Sequence, residues 1–318
     1  MIKVGIIGGA GYTGGELIRL LINHPQAEIL FVQSRSQSGK KLSEVHHDLL
    51  GQSDMQFSGE FTTDADVFFL CMGHGESAKF FNENNIPNHI KIIDLSQDFR
   101  YNKNFVYGLP EVYREQIKYA ERTANPGCFA TAVQLALLPL AAQKKLNGDI
   151  HINGITGSTG AGQKLTATSH FSWRESNISI YKPFSHQHLT EIGRTLNFLN
   201  DGTTGRLNFL PYRGNFTRGI YVTAYTKCDY GEKEALEIYK QYYAAHPFVQ
   251  ISSVNPHLKQ VVNTNNAIIY LEKHEDMLLI VSMIDNLLKG ASGQAVQNMN
   301  LMFGLPETSA LRLKASVF

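Results

Sequence analysis

The feature that most limits how this chain can fold lies at its start. A short β-run, Ile2-Lys3-Val4-Gly5-Ile6-Ile7, feeds directly into Gly8-Gly9-Ala10-Gly11-Tyr12-Thr13-Gly14-Gly15-Glu16-Leu17. Glycines at 8, 11 and 14 form GxxGxxG, a variant of the GxGxxG fingerprint that follows the first strand of a dinucleotide-binding unit. In that reading Gly8 makes the tight turn and Gly11 lets backbone approach a pyrophosphate. Gly14 seats the next helix close to the strand. Leu17, Leu20 and Leu21 carry an apolar helix stripe as far as Asn23-His24-Pro25. Strand, glycine turn and helix in this order predict an α/β chain opening with a Rossmann-type domain, with Gly8, Gly11, Tyr12, Thr13 and Gly14 against the cofactor. A structural turn or a mononucleotide site is the alternative.

The second strand, Glu28 to Gln33, ends in Ser34-Arg35-Ser36-Gln37-Ser38-Gly39-Lys40 rather than in the carboxylate that holds the ribose of NAD. Arg35, with Ser34 and Ser36, can instead pair with a 2′-phosphate, so the expected cofactor is NADP(H). Arg35 as a plain surface residue is the alternative. Lys40 to Glu60 reads as a polar insertion with a surface strand, and His46 and His47 as solvent-facing. Val67 to Cys71 is a buried parallel strand in which Cys71 is core. His74 and Gly75 follow it on the carboxyl edge, where ligand binds. After the strand Lys91 to Ser96, Asp98 and Arg100 form either an ordering ion pair or a charged-substrate contact.

The chemistry centres on Ala124-Asn125-Pro126-Gly127-Cys128-Phe129-Ala130-Thr131. Pro126-Gly127 forces a turn and the apolar run Ala130 to Leu140 reads as a helix. Cys128 therefore lies at or just before a helix N-terminus, where unpaired N–H groups favour a thiolate. A buried, inert cysteine is the competing reading. Composition narrows the classes. A chain of 318 residues suits two domains. A net charge of +1 with 18% charged residues argues against a nucleic-acid-coating protein. Met277 to Met283 is too short an apolar run to cross a bilayer. Three scattered cysteines without CxxC point to neither a disulfide framework nor a cysteine-rich metal site. A cytoplasmic enzyme without a signal segment is expected.

In the second half, Asp149 to Thr156 begins as a strand and Gly157 to Gly162 is a loop of small residues able to wrap an anion. His186 and His188 alternate, and an extended segment would put both rings on one side. An acid–base pair is favoured over zinc ligands or structural histidines, with Glu191 placed to orient an imidazole. Strands at Ile220 to Thr226, Ala267 to Leu271 and Leu278 to Ile284, with a helix from Glu232 to Tyr243, indicate an α+β domain built on a mixed sheet. Its exposed side would pair with a second subunit, as a homodimer or homotetramer. Ala291 to Phe303 reads as a helix that returns to the first domain. The expected division is 1–127 for the nucleotide domain, 128–290 for the catalytic and dimerisation domain, and 291–318 for the returning segment.

The motifs at 8–17, Asp94 to Arg100, Tyr107 to Glu111 and 124–131 together resemble N-acetyl-gamma-glutamyl-phosphate reductase, the semialdehyde-forming enzyme family of arginine biosynthesis. The resemblance continues through Gly157 to Gly162, His186 to Ile192, Arg218-Gly219-Ile220 and Gly290 to Gln297. It implies NADPH-dependent reduction of an acyl phosphate through a thioester on Cys128. His188 would be the base and His186 the substrate-orienting group, with no metal. Gly160 and Gln294 join the cofactor set. Arg100, Asn125, Ser158, Glu191 and Arg218 join the substrate set. The chain departs from the family at Pro211-Tyr212-Arg213, where many members have Pro-His-Leu. Arg213 adds a cation, which suits an N-acyl group such as succinyl. Aspartyl phosphate, a carrier-linked aminoadipyl phosphate, and a cofactor-binding regulator with an inert Cys128 are the rival readings.

Overall fold

The computed structural model describes residues 1–317. The first half runs β1 (Ile2–Ile7), α1 (Tyr12–Leu21), β2 (Ala27–Gln33), α2 (Leu42–Val45), β3 (Val67–Leu70), α3 (Glu76–Glu83), β4 (Lys91–Asp94), β5 (Val106–Tyr107), α4 (Pro110–Lys118) and β6 (Arg122–Ala124). The second half begins with α5 (Cys128–Ala142), β7 (Ile150–Thr156), α6 (Phe171–Arg174), β8 (Ser179–Ile180), α7 (His188–Leu199) and β9 (Leu207–Arg213). It continues with β10 (Ile220–Lys227), α8 (Glu232–Tyr243), β11 (Val249–Ile251), β12 (Ala267–His274) and β13 (Met277–Ile284). A π-helical turn, Leu288–Ser292, then precedes α9 (Gly293–Met302). Two compact units result: Met1–Gly127 with Ala291–Arg312, and Cys128–Gly290 with the chain from Leu313 on.

The first unit holds a six-stranded sheet in the order β2-β1-β3-β4-β6-β5, parallel throughout. Strand order reverses around β1, so the crevice at the carboxyl ends of β1 and β3 is the place where such sheets bind ligand. β3 is Val-Phe-Phe-Leu, buried at every position, as a strand covered on both faces must be. Gly14 explains why α1 packs so near β1. A Cβ there would sit 2.3 Å from the Gly9 carbonyl oxygen, and backbone cannot swing aside. Gly14→Ala is therefore expected to destabilise the protein by about 1–3 kcal/mol, measured as a lower Tm by calorimetry. Every residue of α9 is buried, with Asn298 donating to the Gly108 carbonyl (3.0 Å) and Asn125 Oδ1 (3.1 Å). The helix expected from Ala291 starts two residues later, because 288–292 wind as a π turn.

The 40–60 segment carries α2 and a 3₁₀ turn, His47–Leu49, and differs from the expected surface strand. His46 is buried, not solvent-facing, with Nε2 2.8 Å from the Gly9 carbonyl oxygen. The polar composition of the segment hides this tertiary contact.

The second unit is a seven-stranded mixed sheet, β11-β12-β13-β10-β7-β9-β8. β7 and β10 alternate between buried and half-buried or exposed positions, so one face of these strands is core and the other more open. α5 packs on the core face. It is apolar almost all round and buried from Phe129 to Ala141, as expected of a helix with no wet side. Pro139 sits inside it and denies Leu135 its helical N–H. The Tyr243 hydroxyl of α8 donates to that carbonyl instead (2.6 Å), and Tyr239 donates to the Ala136 carbonyl (2.6 Å). A proline that would break an isolated helix is thus accommodated by two tyrosines of the neighbouring helix, Tyr239 and Tyr243.

Candidate active site

Cys128 is the first residue of α5 and half-buried. The partial positive charge of that helix end favours the thiolate over the thiol. The site is built for close approach, since a Cβ on Gly290 would lie 2.8 Å from Cys128 Cβ. Gly290 sits in the π turn, and that turn is set by Asp285. The fully buried Asp285 carboxylate accepts the N–H groups of Leu287 (2.8 Å), Leu288 (3.1 Å) and Asn263 (2.7 Å). Arg218 meets the same carboxylate with two bonds, Nε to Oδ2 (3.0 Å) and Nη2 to Oδ1 (3.1 Å). The carboxylate found against Arg218 is thus the protein's own, and the pair fixes the wall against which the sulfur rests.

His186 and His188 are both buried, at 4% and 8% exposure. They do not lie on an extended segment: His188 opens α7, and its backbone N–H donates to His186 Nδ1 (3.2 Å). The rings meet edge to face at 4.7 Å between centroids. Burial, and then the charge of Lys182, lowers His186 to about 4. A neutral ring accepting at Nδ1 carries its proton on Nε2, so His186 is a hydrogen-bond donor to whatever faces it. His186 also packs on Phe129, Tyr181 and Phe209. Glu191, one turn into α7, is 2% exposed. Tyr181 was not visible in any sequence motif, yet its phenol is held above its usual range by burial and then by the Cys128 sulfur. Its ring meets that of His186 edge to face at 5.6 Å between centroids.

In the first unit, Gly8, Gln33, Ser34, Arg35, Ser36 and Met72 line one concavity at the crest of the sheet. A Cβ on Gly11 would meet nothing within 4 Å, leaving the glycine turn open where a pyrophosphate must approach. Tyr12 is exposed, and Arg35 and Ser36 are exposed beside the buried Ser34. These residues fit a dinucleotide whose ribose carries a phosphate. Arg35→Ala is expected to raise KM for NADPH about tenfold or more while shifting KM for NADH about twofold at most, measured by initial rates with each cofactor.

Other predicted residues are engaged within the protein. Asp98 caps α3, accepting the Gly75 N–H (2.8 Å) and Ala78 N–H (3.0 Å), and makes these bonds in place of an Asp98–Arg100 ion pair. His74 Nδ1 accepts the Gln97 N–H (3.2 Å) on the surface. Arg100 donates to the Asn125 carbonyl (3.0 Å), and Asn125, 1% exposed, donates to the Ala291 carbonyl (3.0 Å). Thr13 offers its carbonyl to Ser292 (2.8 Å), and Gln294 is fully buried in α9. Ser158 and Gly160 lie in a 3₁₀ turn, Ser158–Ala161, of the second unit. Burial, and then the Asp94 carboxylate, pushes the Cys71 thiol up, which leaves that cysteine unreactive.

Residues 3–120 match the model of the semialdehyde dehydrogenase NAD binding domain, and residues 128–286 that of the semialdehyde dehydrogenase dimerisation domain. The reductases called N-acetyl-gamma-glutamyl-phosphate reductase in Parabacteroides distasonis and Azobacteroides pseudotrichonymphae are 56% and 57% identical to it, each over the full length of both chains. The chain belongs to this reductase family. Aspartate semialdehyde dehydrogenase II of Vibrio cholerae shares the fold at a TM-score of 0.74 and 16% identity, covering 96% of this chain and 98% of its own. The Candida albicans enzyme, solved with NADP, shares it at 0.73 and 13%, covering 95% and 99%. Family membership places the glycine turn in the cofactor domain and Cys128 at the first residue of the dimerisation domain.

Proposed function

We propose that this chain is an NADPH-dependent reductase of N-acetyl-gamma-glutamyl phosphate, forming N-acetyl-glutamate 5-semialdehyde and phosphate, a step of arginine biosynthesis. The observation that carries it is Cys128 at the head of α5 in the same unit as two buried imidazoles. His188 takes the thiol proton, and the sulfur attacks the acyl carbon to form a C–S bond. The oxygen that becomes negative is held by backbone N–H groups around residues 127–129, at the head of α5. His186, neutral and donating, orients the same group. Collapse breaks the C–O bond and phosphate leaves with the electron pair, generating a thioester. When bound, NADPH supplies the hydride that reduces this thioester. His188 then returns its proton to the departing sulfur.

Gly8, Gly11, Tyr12, Thr13, Gly14, Ser34, Arg35 and Ser36 hold the cofactor in this account. The second face of the seven-stranded sheet carries Tyr221, Ile268 and Tyr270, half-buried against Val281 and Met283, and a surface of this kind supports pairing with a second copy, as a homodimer or homotetramer. The Cys128 thiol has to stay reduced, which supports a cytoplasmic location. No helix among the described residues is long and apolar enough to cross a membrane. The test is phosphate-dependent reduction of NADP by N-acetylglutamate semialdehyde, followed by NADPH absorbance. Turnover only with aspartate or aminoadipate semialdehyde would overturn the substrate, and binding of NADP without any turnover would favour a regulator.

A further inference from the structure

The uncompensated charge near the nucleophile is not on Arg218 but at the end of β9. Phe209 and Pro211 are buried on the face that packs on Phe129 and His186. Asn208 and Leu210 line the opposite face with His151 and Tyr225. The two-residue period returns Arg213 to the catalytic face, where its guanidinium lies over the Tyr181 ring, 5.0 Å from the centroid. The Tyr181 ring also meets His186 edge to face, at 5.6 Å between centroids, which links the cation to the buried imidazole pair.

Behind Arg213 stands a second guanidinium. Arg174 is 8% exposed and donates through Nη1 to the Arg213 carbonyl (2.8 Å) and through Nη2 to Ser179 Oγ (3.3 Å). The Nε atoms of both arginines are buried without a hydrogen-bond acceptor. Among the described residues, neither arginine has a carboxylate within ion-pair distance, whereas Arg218 has Asp285. With Arg174 buried and Arg213 half-buried, like charges so placed favour a counter-charge, and no carboxylate among the described residues supplies it.

We propose that Arg213, backed by Arg174, binds a carboxylate at the far end of the substrate's N-acyl group, so that an N-succinyl-type (dicarboxylic) acyl-glutamyl phosphate is preferred to the N-acetyl compound. This rests on the reductase reading above. In this proposal the acyl phosphate lies at Cys128 and the N-acyl end of the glutamyl skeleton reaches toward Tyr181 and Arg213. An acetyl group would present a methyl to the guanidinium. A distal carboxylate presents two acceptors to its planar fork, with the Tyr181 ring alongside the methylenes.

The experiment measures kcat/KM in the phosphate-dependent direction for N-acetyl- and N-succinyl-glutamate semialdehyde, on wild-type protein and on Arg213→Leu. Wild type is expected to favour succinyl by about tenfold or more, and Arg213→Leu to lower the succinyl-to-acetyl ratio by about tenfold or more. Arg213→Lys keeps the charge without the fork and should fall between. Wild-type preference for acetyl, or equal rates, overturns the proposal without reference to any variant. Equal loss on both substrates in Arg213→Leu also overturns it, because Arg213 would then hold the α-carboxylate common to both. Failure of both semialdehydes with wild type, with NADPH still bound, overturns the reductase reading and this proposal with it.

Discussion

Cys128→Ser is expected to lower kcat by at least about a thousandfold while leaving the Kd for NADPH within about twofold. The size follows from the chemistry. A serine hydroxyl at this position keeps the contact with Gly290 but stays protonated, because neither the helix end nor an imidazole lowers an alcohol far enough to ionise it. Cofactor affinity is expected to hold because the residues lining the dinucleotide concavity belong to the first unit and Cys128 to the second. Stopped-flow turnover and fluorescence titration of NADPH on one preparation check both halves. Parallel loss of turnover and binding would mean that the substitution damaged the fold and did not remove a nucleophile.

The paired histidines should separate in a pH profile. His188→Gln is expected to reduce kcat/KM by about a hundredfold to ten-thousandfold and to remove the acid limb of its pH dependence. His186→Asn should cost less and keep that limb. The sign follows from the depressed value: His186 is neutral at every pH above about 4, so its protonation cannot set a limb near neutrality. In the folded protein it takes up a proton only below that value, whereas the unfolded chain does so from 6.5 down. Stability therefore falls as pH drops through this window. An unchanged acid limb in His188→Gln would move the base elsewhere.

The parts of this protein that could be seen in the sequence are those whose physics is local. The glycine spacing at 8, 11 and 14 reports a strand-to-helix turn, and Cys128 after Pro-Gly reports a helix start; both need only a few neighbouring residues. Helix α8 was legible from Glu232 to Tyr243 because its apolar positions recur at helical spacing. What stayed hidden depends on contacts far apart in the chain. β9 contains Pro211, a residue that argues against a strand, and it forms because β7 and β8 pair with it on both sides. His46 sits in a polar stretch, and the contact with Gly9 that buries it spans 37 residues of sequence. Asp98 looked like an ion-pair partner, but the N-terminus of α3, twenty-odd residues earlier, takes it. Tyr181 and Arg174 belong to no motif, and only the fold of the 163–185 segment brings them to Arg213.

The central claim is that the Cys128 sulfur carries the acyl group. The direct measurement is intact-mass and peptide mass spectrometry of the enzyme mixed with N-acetylglutamate semialdehyde and NADP, with phosphate omitted so that the thioester accumulates. One acyl adduct per chain is expected, on the peptide containing Cys128, released on adding phosphate. NADPH formed without an adduct on that peptide, or with the adduct on Cys71 or Cys228, would contradict it.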